Sequence, residues 1–66
     1  MIFNVPKMSC GHCTAAITKA ITTADPTATV TCDLTDHTVT VQGALDDRQL
    51  AALITSAGYD STLQVA

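Results

Sequence analysis

Apolar residues along this chain keep two different periods, and the switches between them divide it into six segments. Residues 2–6, IFNVP, are a short apolar run stopped by Pro6, which predicts a strand end or an edge strand. A loop through KMSCGH follows. From about Cys13 the spacing lengthens. Cys13, Ile17, Ala20 with Ile21, and Ala24 recur every three or four residues, the stripe of a helix packed on one side, and Asp25-Pro26 ends it. Residues 28–33, ATVTCD, alternate strictly, with Ala28, Val30 and Cys32 on one face and Thr29, Thr31 and Asp33 on the other. Residues 38–42, TVTVQ, alternate through Val39 and Val41, and residues 34–37 between the two runs are short enough for a hairpin.

The second helix has a marked start. Asp46 with Gln49 three residues later resembles a capping box, and Leu45 and Leu50 are placed for a hydrophobic staple. Leu50, Leu53, Ile54 and Ala57 make its buried stripe, and Gly58 is a natural stop. Residues 61–65, STLQV, predict a last strand through Leu63 and Val65. The order βαββαβ predicts an α+β fold: a ferredoxin-like sandwich with a four-stranded antiparallel sheet and two helices on one face. Residues 1–66 are expected to form one domain.

Composition removes several classes of function. A domain of this size buries only about 60% of the surface its unfolded chain exposes, so a deep pocket for an organic cofactor would compete with the core. The chain has one Phe, one Tyr and no Trp, too few for a surface that stacks nucleic-acid bases. Net charge is −3, and Lys7, Lys19 and Arg48 are scattered, so there is no basic stripe for phosphates. No nucleic-acid partner is expected. No apolar run approaches the roughly 18 residues of a membrane span. The start, MIFNVPKMSC, lacks the basic region and apolar stretch of a secretory signal, so a cytoplasmic location is expected.

The chemistry sits in one short stretch, MSCGHC. Cys10 falls in the loop and Cys13 in the first turn of the helix, where unpaired N–H groups and the helix dipole favour thiolate over thiol. That prepares the pair equally for metal binding and for disulfide exchange. The tetrapeptide CGHC resembles the active site of protein disulfide isomerases, but the residue before it is Ser9 rather than an aromatic one, and no proline is placed to face the pair. A zinc site from Cys10, Cys13, Cys32 and His37 has suitable ligand types. The expected geometry opposes it. Cys32 should face the core as a small apolar filler, and His37 should be a solvated turn residue at the opposite end from the first loop. Two thiolates with no third ligand suit Cu(I), which is soft and satisfied by two or three ligands. In an exposed loop they favour handover by ligand exchange.

Met8-x-Cys10-x-x-Cys13 near the N-terminus, the βαββαβ order, and Gly58-Tyr59 after the second helix together resemble the heavy-metal-associated domain family over essentially the whole chain. The resemblance implies a cytosolic copper metallochaperone, not an enzyme, with Cys10 and Cys13 as the Cu(I) ligands. It implies that Met8 points into the core beneath the loop and that Tyr59 lies beside the metal. It also implies the soluble domains of a copper-transporting P-type ATPase as partners, and a copper-bridged homodimer as a further assembly. Zinc and cadmium members often carry Asp immediately before the first cysteine, where this chain has Ser9. His12 departs from the small residues frequent between the family's cysteines; it is expected to be a solvent-exposed imidazole, with metal ligation and partner contact as the other readings. A passive copper buffer and a metal-binding domain cut from the ATPase are the alternatives; Met1 and the brief tail favour a whole small protein.

Overall fold

The computed structural model describes residues 1–65. Its elements are β1 (Ile2–Asn4), α1 (Gly11–Ala24), β2 (Thr29–Asp33), β3 (Thr38–Gln42), α2 (Asp47–Ser56) and β4 (Thr62–Val65), in the expected order. The strands form one antiparallel sheet ordered β2-β3-β1-β4, so each βαβ unit skips a strand. This is the ferredoxin-like plan. Among the described residues no helix is long and apolar enough to cross a membrane.

The register explains which face the helices cover. Phe3 stands opposite Val39 and Val39 opposite Cys32, while Val41 stands opposite Val30. Phe3, Val39 and Val41 are buried against Ile17 and Ile21 of α1 and Leu50 and Ile54 of α2. Each such side chain contributes about 1.5–3 kcal/mol by leaving water. All three cysteines are free, so this cluster rather than any crosslink holds the fold. Val5 and Met8, on either side of the turn after β1, are fully buried in the same cluster.

Several boundaries differ from the sequence expectation. β1 stops at Asn4 instead of running to residue 6, because Val5 to Met8 turn back, with the Met8 N–H donating to the Val5 carbonyl at 3.0 Å. α1 begins at Gly11, two residues before Cys13, because Cys10 occupies the N-cap. Ala24, the last residue of α1, is exposed. Leu63 and Val65, on the edge strand β4, are exposed as well. Cys32 is half-buried rather than a core filler; its sulfur lies 3.8 Å from Thr18 Oγ1 at the rim of the core.

Opposite the β1–α1 loop, Asp25 closes the structure. One carboxylate oxygen accepts the Thr27 hydroxyl at 2.6 Å and the Thr27 N–H at 3.1 Å; the other accepts the Ala44 N–H at 2.9 Å. The end of α1 is thereby tied to the loop after β3. Gly43 is required by close approach: a Cβ there would stand 2.6 Å from Asp25 Oδ2 and 3.1 Å from the Ala28 Cα. Gly43→Ala should therefore destabilise the fold by about 1–3 kcal/mol through overpacking, read as a lower urea midpoint.

The same tie makes a pH prediction. The Thr27 hydroxyl first, then the Ala44 N–H, hold the Asp25 carboxyl below the ordinary carboxylate range. A carboxyl lowered on folding contributes its stability fully at neutral pH and loses it as pH falls through the lowered value. Urea midpoints of the wild type should drop on acidification through that range. Asp25→Asn should start lower at neutral pH and show a shallower drop.

Candidate metal centre

Cys10 is the N-cap of α1, in extended conformation at φ −152° and ψ 170°. Its carbonyl accepts the N–H groups of Cys13 at 3.1 Å and Thr14 at 3.2 Å, which fixes the first turn. An N-cap side chain folds back toward the third helical residue, and that residue is Cys13. The two-residue gap therefore brings the sulfurs to 3.4 Å, close enough to share a proton. Cys10 is exposed and Cys13 is 9% exposed, so one sulfur faces solvent and the other backs onto the core. No side chain caps the helix and its first turn holds no acidic residue, leaving the positive helix end to the sulfurs.

Tyr59 reaches the pair from α2. Gly58 stands at φ 99° and ends that helix; its N–H donates to the Thr55 carbonyl at 2.9 Å, and the Tyr59 N–H donates to Ile54 at 3.2 Å. This double return is a Schellman motif, and it turns Tyr59 toward the core beside the metal loop. The Tyr59 hydroxyl is the largest influence on Cys13, followed by the Ser9 N–H and the Cys10 thiol; together they outweigh burial and pull the Cys13 thiol from 9.0 to about 7. The Tyr59 phenol is pushed up, first by its interaction with Cys13 and then by burial and the sulfur charges. Both shifts favour negative charge on Cys13 over negative charge on Tyr59.

The family model of the heavy-metal-associated domain matches residues 2–60. This chain belongs to that family. Among solved structures it is similar to a point mutant of the copper chaperone Atx1 from Synechocystis PCC6803 in a trimeric form, at 42% identity over 94% of this chain and 98% of that one, with a TM-score of 0.92. It is similar to a CopZ metallochaperone at 33% identity, over 94% and 97% of the two chains, with a TM-score of 0.84. A gold binding protein matches at 36% identity over 92% and 94%, with a TM-score of 0.88. Comparison with curated proteins finds no match.

Within this heavy-metal-associated domain, His12 occupies the second position of α1 and is exposed, Lys7 is exposed, and Met8 is fully buried under the loop. Among the described residues no three His, Cys, Asp or Glu side chains gather as a metal-holding group, so the four-ligand set of Cys10, Cys13, Cys32 and His37 is not assembled. His37 nevertheless requires a correction. It is half-buried, not solvated, and it stands at the same end as the metal loop. β3 is antiparallel to β1, with Thr38 opposite Asn4, so the hairpin that begins β3 lies beside the point where β1 enters the loop. His37 Nδ1 is 2.8 Å from the Met8 carbonyl. Sequence reasoning missed this contact, although the expected strand order contained its signal.

Tyr59→Phe removes the largest stabilising contact to the Cys13 thiolate and leaves the ring in place. The apparent thiol pKa of the pair, followed by ultraviolet thiolate absorbance, should rise above about 7. Gly58→Ala should cost at least about 1 kcal/mol in urea unfolding, since a side chain at positive φ is strained even though the Cβ meets open space.

Proposed function

We propose that this heavy-metal-associated domain is a cytoplasmic copper chaperone that carries Cu(I) on Cys10 and Cys13 and passes it to the soluble domains of a copper-transporting P-type ATPase. The observation that carries this reading is the sulfur pair itself: two thiols 3.4 Å apart at an uncapped helix start, one of them exposed. Zinc sites normally take four ligands, and two sulfurs undersupply them. Cu(I) is soft enough to be held by two thiolates. The similarity to proteins described as copper chaperone and metallochaperone supports the same cargo. The relative described as gold binding fits a site that selects by softness.

Transfer follows from low coordination. A partner thiolate adds to the metal from the open side at Cys10. One original Cys–metal bond then breaks, and the remaining one follows as the partner's second thiolate bonds. The ion is never free, and the protein acts as a carrier rather than a catalyst. The same open side admits the sulfurs of a second copy, so a copper-bridged homodimer belongs to this reading. His12, exposed between the two cysteines, lies on the surface a docking partner would meet.

The Cys10→Ser/Cys13→Ser variant should lose Cu(I) binding in competition with a colourless Cu(I) chelator under reducing conditions, while the wild type binds one ion per monomer at low loading. Wild-type affinity in that variant would refute the assignment. Mixing the copper-loaded protein with the host ATPase's soluble domains distinguishes a chaperone from a buffer. A chaperone transfers faster than capture by an unrelated chelator, with NMR shifts centred on residues 8–14 and 59.

A further inference from the structure

His37 holds the turn before the metal loop at both ends. Its carbonyl accepts the Val5 N–H at 2.7 Å, and its ring Nδ1 meets the Met8 carbonyl at 2.8 Å. Between these points the Met8 N–H donates to the Val5 carbonyl at 3.0 Å, closing the turn on itself. A carbonyl can only accept, so Nδ1 carries the proton. Both the neutral Nδ1–H tautomer and the imidazolium can make this bond. The residue reaches the turn from φ 56°, a left-handed conformation in which His is among the tolerated side chains.

The Met8 carbonyl is one edge of a planar trans peptide whose other edge is the Ser9 N–H. Fixing the carbonyl fixes the direction of that N–H and the plane of the peptide that leads into the N-cap. It also sets the backbone entering Cys10, whose extended conformation brings its sulfur to 3.4 Å from Cys13. We propose that His37 is a positioning residue for the metal pair. Its ring holds the Met8–Ser9 peptide in the orientation that preorganises Cys10 and Cys13, without itself touching the metal. The proposal rests on the copper-carrier reading above.

Two substitutions isolate the ring. His37→Gly keeps the backbone free to adopt positive φ and keeps the carbonyl that Val5 uses, but removes the Nδ1 donor. His37→Asn places an amide N–H the same number of bonds from Cα and also tolerates this conformation. In apo H37G, amide exchange should accelerate at Met8, Ser9 and Cys10 ahead of the core strands. Cu(I) affinity by chelator competition should fall about fivefold, the worth of one net hydrogen bond. H37N should restore both. Wild-type affinity and exchange in H37G would overturn the proposal, as would uniform acceleration along the whole chain with affinity unchanged, or failure of H37N to restore either property. Failure of the wild type itself to bind Cu(I) refutes the carrier reading instead, and the apo exchange pattern reports on the clamp separately.

Discussion

The start of α1 sets the terms for the metal loop. A helix needs its first N–H groups satisfied, and a capping side chain ordinarily contributes about 1 kcal/mol. The two helices meet this need in opposite ways. At α2, Asp46 Oδ1 accepts the Gln49 N–H at 2.8 Å and Gln49 Oε1 accepts the Asp46 N–H at 3.1 Å, a closed capping box. At α1 the same N-cap and third-residue positions hold Cys10 and Cys13, which turn to each other instead. The geometry is shared and the chemistry is not. Where α2 spends its start on stability, α1 leaves a positive helix end to two sulfurs. The deficit is offset by Ile17 and Ile21 in the core and by Met8 beneath the loop.

Topology decides what surrounds those sulfurs. β1 ends, β3 begins and α2 ends at one pole of the sheet, because β3 is antiparallel to β1 and α2 leads into β4, which pairs with β1. Three segments distant in sequence therefore supply the loop: residues 5–10, His37 and Tyr59. Asp25 ties the opposite pole, joining the end of α1 to the loop after β3. The exposed sulfur sits on a frame held at both poles.

Much of this was legible in the chain, and the failures have physical reasons. Period-2 patterns marked β2 and β3 and period-3.6 patterns both helices, since Val39, Val41, Ile17 and Ile54 have to face one core. The Asp46–Gln49 box was readable because capping depends on local spacing. Periodicity did less well at the margins. Leu63 and Val65 keep an apolar spacing, yet both are exposed on β4, which α2 covers only in part. Cys32 faces the right way but lies at the rim, and Ala24 runs past the end of the covered stripe. The cysteine pair was visible because its partners are three residues apart. His37 was not, because its contact with Met8 spans 29 positions and depends on strand direction rather than residue type.

An exposed carrier site must favour thiolate without closing around the ion. Adding a third ligand would strengthen binding but occupy the side from which a partner's sulfur has to enter. Here the stabilisation comes from neutral donors around Cys13: the Tyr59 hydroxyl, the Ser9 N–H and the neighbouring Cys10 thiol. These donors favour negative charge on sulfur without adding a competing anionic ligand. They also act on the buried member of the pair, leaving Cys10 open to solvent. In the proposed carrier this asymmetry would give exchange a direction: a partner sulfur enters on the exposed side at Cys10, and Cys13, whose lowered basicity makes it the better leaving thiolate, is suited to be released first.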